Sequence, residues 1–342
     1  MSDGIWNIQM GRREFVKSVA ATSIVAATTG AAAGQENRSM KRFDRSLIRS
    51  HCAEEGQLSP DFIGSVELGE PFVVETEDSN DANGPIYVEG VGAGDAVTVE
   101  IDEIEIVGRV MAPNGGPLDG FEGFELELRD GYLHFPERFR VRPRPTLGNV
   151  AVLPSPEEKE RILKWARDIG YTPKKWRQLV NDPRGKHCHQ DCPFLGPGAR
   201  IHLKAQVDGA GVCVADFHAY MGEGEMSFNG VSAAANVTAR VTRCTDWPVD
   251  WPLVETTEEI MVVRTGSDYV QVVREAFRGC RQLVQEKTGC SEPLANAVVA
   301  SVMDLRNSAI YGLGHGYFDF RPDEPSRDLS VLGVLPKAVF SA

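Results

Sequence analysis

Two short stretches of the chain concentrate residue types that bind metal ions. The stretch KHCHQDCPFLGPG places His187, His189 and Asp191 close together, although the whole chain has only seven histidines. The stretch VCVADFHAYMGEGEMSFNG places Asp216 and His218 two residues apart at what looks like the end of a strand. Because alternate side chains of a strand share one face, these two are expected to point in the same direction.

A glycine-flanked turn carrying Glu223 and Glu225 follows that strand. Imidazole nitrogens and carboxylate oxygens are ligands for zinc, and carboxylates also suit calcium. The pattern predicts a divalent-cation site, preferably for zinc with calcium as the alternative. Not all candidate ligands can bind one ion, and a remaining glutamate would accept a proton from bound water. The candidate ligands are His187, His189, Asp191, Asp216, His218 and Glu225.

Other interpretations of the same residues stay open. Asp216 and Glu223 are also suited to accept backbone N–H groups in turns, as acids beside glycines commonly do. Cys188 and Cys192 are compatible with a disulfide, with two buried thiols, or with a structural zinc site. The chain shows no G-x-S-x-G elbow, P-loop or dinucleotide-binding glycine motif in a suitable context.

Composition and charge limit the classes of partner. The chain has 342 residues, of which 42% are hydrophobic and 25% charged, as in soluble globular proteins. Its formal net charge of −13 argues against binding to nucleic acid or to an anionic membrane, because both require a basic face. A small-molecule substrate remains the expected partner.

The first 33 residues have the organisation of an export signal. The segment GRREFVK contains paired arginines, Arg12 and Arg13, and precedes a short apolar run that ends in small residues. The run is too short for a permanent membrane span. We predict a twin-arginine (Tat) signal over 1–33, recognition by the Tat export machinery, and a periplasmic or extracellular protein. A polar linker is predicted over 34–55.

The remaining pattern, over 56–342, predicts a β-rich α+β catalytic domain with late helices. Stretches within 64–135 show the period-2 alternation of strands, including a hairpin at Asp130-Gly131, and residues 139–154 are predicted to be extended. A helical insertion is predicted over about 155–182, with its N-cap at Ser155. Strands are predicted to return over 199–244. Two amphipathic helices are predicted near the end, one closing at Gly289 and one running over 291–312.

Several motifs resemble the acetamidase/formamidase family. They are GPIYVEGVGAGDAVTVEI at 84–101, PTLGNVAVLP at 145–154, and above all LGPGARIHL with the DFHAYMGEGE block that follows it. With the late helices, the likeness covers most of residues 60–310. It implies a β-rich fold, hydrolysis of short amides to the acid and ammonia, a metal near the acids and histidine, and a homo-oligomer.

Residue by residue, the likeness aligns the 216–225 block and Asp191 with the acids and histidine of the family motifs. Glu223 stands where the family has aspartate, and the 187–189 segment replaces a Gly-Gly-Asn sequence. His189 therefore substitutes for an asparagine, and imidazole is the better zinc ligand. The helical insertion also departs from the family pattern.

The combined prediction is a metal-dependent hydrolase of a short, non-peptide, linear amide. Glu223 is predicted to transfer a proton to the departing amine, with Glu225 as the alternative. Two rival hypotheses are a hydrolase of a larger or cyclic amide on the same fold, and an exported metal-binding protein without catalytic activity.

Overall fold

The structure of the protein is a computed structural model. The structure describes residues 40–50, 60–79, 81–113, 123–168, 176–180, 190–225, 230–266, 268–311 and 328–341. The predicted signal at 1–33 lies outside these ranges, as do His187, Cys188 and His189. No helix among the described residues combines the length and apolar character needed to cross a membrane.

Strands dominate the chain. The first eight are β1 (Lys41–Phe43), β2 (Gly64–Val66), β3 (Phe72–Thr76), β4 (Asn83–Val88), β5 (Ala96–Ala112), β6 (Phe124–Arg129), β7 (Tyr132–His134) and β8 (Arg140–Val141). The next eight are β9 (Thr146–Ala151), β10 (Arg200–Lys204), β11 (Ala210–Tyr220), β12 (Val231–Arg243), β13 (Leu253–Glu255), β14 (Glu259–Gly266), β15 (Asp304–Tyr311) and β16 (Asp328–Pro336).

Helices are few and mostly late. They are α1 (Ser46–Ser50), α2 (Pro156–Asp168), α3 (Arg177–Val180), α4 (Tyr269–Thr288) and α5 (Glu292–Val302), with a closing 3-10 turn at Lys337–Phe340. The predicted β-rich α+β class with late helices is therefore confirmed.

One mixed sheet joins the strands in the order β15-β16-β14-β13-β10-β5-β12-β11-β4-β2. The pairs β1–β3 and β2–β4 are parallel, and the other strand pairs are antiparallel. The long strands β5 and β12 form the centre, paired from Ser232–Met111 to Arg243–Val97. Buried and partly exposed residues alternate along β12, as the period of a strand with one face on the core requires.

The structure confirms the predicted helix caps at Ser155 and Gly289 and the predicted hairpin turn at Asp130-Gly131. Ser155 accepts the N–H of Glu158 at 3.1 Å and starts α2. The hairpin turn between β6 and β7 has positive φ at both Asp130 and Gly131, which suits a tight two-residue turn. Gly289 ends α4 in the left-handed conformation, with φ of 69°.

Two expectations differ from the structure. The helix predicted over 291–312 ends at Val302, and the chain continues as β15 because it pairs with β16 beside β14. Tertiary pairing here overrides the local helical pattern. The segment predicted as a linker over 34–55 contains β1 and α1, and β1 pairs with β3 through Lys41–Phe72 and its neighbours.

The main core lies along the central strands, and a second apolar cluster lies under α4 and α5. Phe72 is fully buried and packs edge-to-face on Phe43, with ring centroids 5.8 Å apart. Edge-to-face aromatic pairs add to the stabilisation that comes from burial of the two rings. Phe72, on β3, therefore packs β1 against the central sheet.

Phe72→Ala is expected to lower the free energy of unfolding by about 3–5 kcal/mol, because it removes a buried ring and leaves a cavity. The matched control is Phe139→Ala, since Phe139 is 66% exposed and its loss should cost less than about 0.5 kcal/mol. Urea unfolding followed by circular dichroism measures both. Equal unfolding midpoints for the two variants would contradict this view of the core.

Candidate metal centre

Four of the predicted site residues converge in one buried place. The imidazole Nε2 of His218 lies 3.4 Å from Asp216 Oδ1 and 3.4 Å from Glu225 Oε1. Ligand atoms of Asp191, Asp216 and His218 all lie within 4.8 Å of one another. All four side chains are buried, although they come from separate positions in the chain.

Strand β9 creates the room for this cluster. Its residues Leu147 and Asn149 pair with Phe217 and Ala215 of β11, so Gly148 lies opposite Asp216. A β-carbon at Gly148 would overlap Asp216 Oδ2 and would lie 2.8 Å from Asp191 Oδ1. Only glycine lets the two carboxylates approach the strand this closely.

Asp191 is held by a network around Gly148. Its backbone N–H donates to Gly148 O at 2.8 Å. The side-chain amide of Gln190 pairs with the backbone of Val150, accepting its N–H at 3.2 Å and donating to its carbonyl at 2.9 Å. The hydroxyl of Ser308 lies 2.6 Å from the carbonyls of both Gln190 and Asp191. The loop is therefore fixed from two sides.

Glu225 reaches the cluster from the turn after β11. The N–H of Gly224 donates to Asn307 O at 2.8 Å, which docks this turn on β15. The N–H of Glu225 donates to Gly222 O at 3.2 Å and closes the turn. The Glu225 carboxylate accepts the N–H of Gly230 at 3.0 Å. These bonds orient its side chain toward His218.

Three residues of the cluster have an unfavourable backbone conformation. Asp191, Asp216 and Glu225 have φ values of 42°, 56° and 38°. Non-glycine residues are uncommon in this left-handed region, and each costs about 1–3 kcal/mol, which the surroundings must offset. Such residues concentrate at functional sites. Their coincidence at one point supports a function for the cluster.

The cluster is rich in negative charge. Burial lowers the pKa of His218, but the carboxylates of Asp216, Glu225 and Asp191 outweigh burial and raise it to about 9. Three carboxylates around one imidazole favour a cation among them, because buried acids are costly without a positive partner.

The spacing of the donor atoms fits a metal ion. Both ring nitrogens of His218 are buried, and neither makes a well-oriented hydrogen bond to a described residue. Neighbouring donor atoms of a tetrahedral zinc ion with bonds of about 2.0–2.1 Å are about 3.3 Å apart. The 3.4 Å distance from Nε2 to Asp216 Oδ1 matches that separation, and a ligand atom of Asp191 lies within 4.8 Å of both residues. Asp191, Asp216 and His218 could therefore hold a metal, with Glu225 beside them.

The other predicted site residues are placed differently. Glu223 is exposed on the turn, where its negative charge attracts the guanidinium group of Arg306. His187 and His189 lie outside the described residues, so their predicted role as ligands stays a prediction. Cys192 is a buried free thiol, and burial raises its pKa to about 12.

Three residues that position the cluster were not predicted from the sequence: Gly148, Gln190 and Ser308. An isolated glycine inside a buried strand signals a close approach of other atoms, and that signal was present at Gly148. Gln190 and Ser308 gave no comparable signal. Their positions depend on the loop before β10 and on the docking of β15.

Solved structures share this fold. A recombinant predicted acetamidase/formamidase from the thermophile Thermoanaerobacter tengcongensis aligns with a TM-score of 0.68 and 21% identity, covering 88% of this chain and 97% of that one. An acetamidase from Yersinia enterocolitica aligns with a TM-score of 0.69 and 19% identity, covering 92% and 96%. An acetamidase from Bacillus halodurans aligns with a TM-score of 0.65 and 20% identity, covering 85% and 97%.

These likenesses support the resemblance to acetamidases and formamidases at the level of the fold. No protein-family model matches the chain, and no curated protein matches it. The chemistry must therefore be argued from the residues of the cluster.

Gly148→Ala is expected to displace Asp216 and to reduce bound metal strongly, because the new methyl group would occupy the space of its carboxylate. The matched control is Gly222→Ala on the neighbouring turn, where an added β-carbon meets nothing within 4 Å. Elemental analysis of both purified proteins, beside thermal unfolding, measures the effect. Full metal content in a folded Gly148→Ala protein would show that the close approach is not needed.

Proposed function

We propose that the protein is a metal-dependent hydrolase of short, linear, non-peptide amides, releasing the acid and ammonia. The observation that carries the proposal is the buried convergence of Asp191, Asp216, His218 and Glu225. The shared fold with proteins described as acetamidases adds support. The reaction consumes one water for each amide bond broken.

Zinc is the proposed metal. An imidazole and two carboxylates form a ligand set that zinc accepts, whereas calcium binds through oxygen ligands alone. Asp191, Asp216 and His218 would hold the zinc ion, which would polarise the amide carbonyl and lower the pKa of water. His187 and His189, which precede Asp191 in the chain, remain proposed ligands.

Glu225 is the proposed proton carrier of the buried cluster. Its carboxylate lies 3.4 Å from the imidazole of His218, and the Gly230 N–H fixes its orientation. It accepts a proton from the attacking water and delivers it to the nitrogen that leaves as ammonia. The exposed Glu223, which the sequence favoured for this proton, lies two residues away on the same turn.

A second candidate substrate is a larger or cyclic amide. The helical insertion reaches the site region, because Asn149 Nδ2 donates to Val180 O of α3 at 3.3 Å. Asn149 is the neighbour of Gly148, so the insertion contacts the strand that shapes the cluster. An added element at that position is suited to change the size of amide that enters.

The proposed function is tested by metal content and ammonia release together. Zinc near one per chain and ammonia from formamide or acetamide, lost on chelation and restored by zinc, is the expected result. Turnover only of cyclic or larger amides would select the second candidate. Stoichiometric metal without turnover on any amide would indicate a metal-binding protein, and activity without metal would overturn the mechanism.

Three variants separate the proposed roles. His218→Ala should lose metal and activity together, because it removes the only imidazole among the described ligands. Glu225→Gln should keep metal and lose about 10²–10⁴-fold in kcat, because the amide cannot carry the proton. Glu223→Gln is the matched control on the same turn. A large kcat loss in Glu223→Gln with a normal Glu225→Gln enzyme would transfer the role to Glu223.

We also propose export through the Tat route, on the basis of the arginine pair and the apolar run that follows it. Replacing both Arg12 and Arg13 with lysine should retain the protein in the cytoplasm, because the paired arginines are the recognition element. Cell fractionation with immunodetection compares the variant with the wild-type chain. Unchanged export of the double variant would contradict the proposal.

A further inference from the structure

A second reactive cluster lies at the other end of β12. Cys244 directly follows this strand, and its Sγ lies 3.5 Å from Nδ1 of His202 on β10. The opposite ring nitrogen, Nε2 of His202, lies 2.9 Å from Glu255 Oε2 on β13. We propose that Cys244 is a nucleophilic thiolate, activated by His202 and Glu255, that forms mixed disulfides with low-molecular-weight disulfides.

The sheet register places these groups together. Thr98 of β5 lies directly opposite His202, and its hydroxyl is 2.8 Å from Nδ1. Thr98 also contributes a hydrogen bond to the Cys244 sulfur. Its hydroxyl can therefore accept from the imidazolium N–H and donate to the thiolate. In the thiol form the sulfur can donate to Trp247 O, 3.7 Å away.

Glu255 holds the other side of the imidazole. Besides His202, its Oε2 accepts the indole N–H of Trp247 at 3.2 Å, and its Oε1 accepts from Lys337 Nζ at 2.5 Å. Burial raises the pKa of Glu255, but His202 and Lys337 outweigh burial and lower it to about 2. Glu255 is therefore ionised near neutrality and favours a positively charged His202. Arg200 lies 3.9 Å away on the exposed side.

The remaining electrostatics agree with an ion pair between thiolate and imidazolium. Burial lowers the pKa of His202, but the bonds to Cys244 and Glu255 outweigh it and raise that pKa above its usual value. Burial raises the pKa of Cys244, but the bond to His202 and its charge outweigh burial and lower that pKa. The thiolate is the nucleophilic form of cysteine.

Accessibility distinguishes Cys244 from the buried thiols among the described residues, and the contacts with His202 distinguish it from the equally half-buried Cys290. Cys192 and Cys280 are buried, and burial raises the pKa of each to about 12. Cys244 is only half-buried, between the exposed residues Arg243 and Thr245, whereas its partner His202 is buried. A small reagent can therefore reach a thiol whose activating base is shielded from water.

Thiol–disulfide exchange uses only what this cluster and the disulfide supply. The Cys244 thiolate attacks one sulfur of the small disulfide. A new S–S bond forms between Cys244 Sγ and that sulfur, and the original S–S bond breaks. The departing thiolate takes the proton of the His202 imidazolium and leaves as a thiol. His202 becomes neutral, and Glu255 stays ionised.

The test follows each cysteine of the full chain separately, by mass spectrometry of peptides after iodoacetamide treatment across pH. The alkylation midpoint of Cys244 should fall clearly below the value of about 8.5 for an ordinary thiol. At pH 7 it should react on the order of tenfold faster than the half-buried Cys290, which is the internal reference. Oxidised glutathione should add one glutathionyl group at Cys244, removable by dithiothreitol.

Variants then assign the activation. His202→Gln should move the Cys244 midpoint upward toward an ordinary thiol, and Cys290→Ser should leave it unchanged. Cys244→Ser should lose the glutathionyl adduct while keeping bound metal and any ammonia release. A wild-type midpoint at or above about 8.5, or alkylation without any glutathionyl adduct, overturns the proposal. The wild-type profile decides even if His202→Gln fails to fold.

Discussion

The arrangement of the site depends on one electrostatic constraint, the burial of three carboxylates around a single imidazole. Asp191, Asp216 and Glu225 lose most of their hydration, and His218 alone cannot balance them. The backbone is strained at all three acids, and this strain lowers the free energy of unfolding. The proposed cation would relieve the repulsion among these carboxylates.

The central sheet and its edges provide the stability that this constraint needs. Strand β11 carries two members of the cluster between β9 and β12, and β15 anchors the loop and turn that bring the other two. Side chains that bear no chemistry, such as Ser308 and Gln190, therefore decide where the carboxylates point. They act by holding the backbone of the Asp191 loop in place through hydrogen bonds.

The sequence was sufficient for the β-rich class, the helix caps and the identity of the clustered acids and histidine. Those features depend on local spacing, as at Asp216 and His218, or on a single cap residue, as at Ser155. The strand after Val302 could not be predicted, because it forms only by pairing with a segment farther along the chain. The exposure of Glu223 beside the buried Glu225 depends on how their turn docks, which spacing alone does not encode.

Strand β12 separates the two reactive clusters as well as supporting them. Its 13 residues extend over about 40 Å, with His218 paired near one end and Cys244 beyond the other. The Coulomb energy of two charges falls as the distance between them grows, so a change of charge at the thiol alters the field at the carboxylates only weakly over that distance. A substitution or modification at one end of the strand should therefore leave the electrostatic field at the other end nearly unchanged.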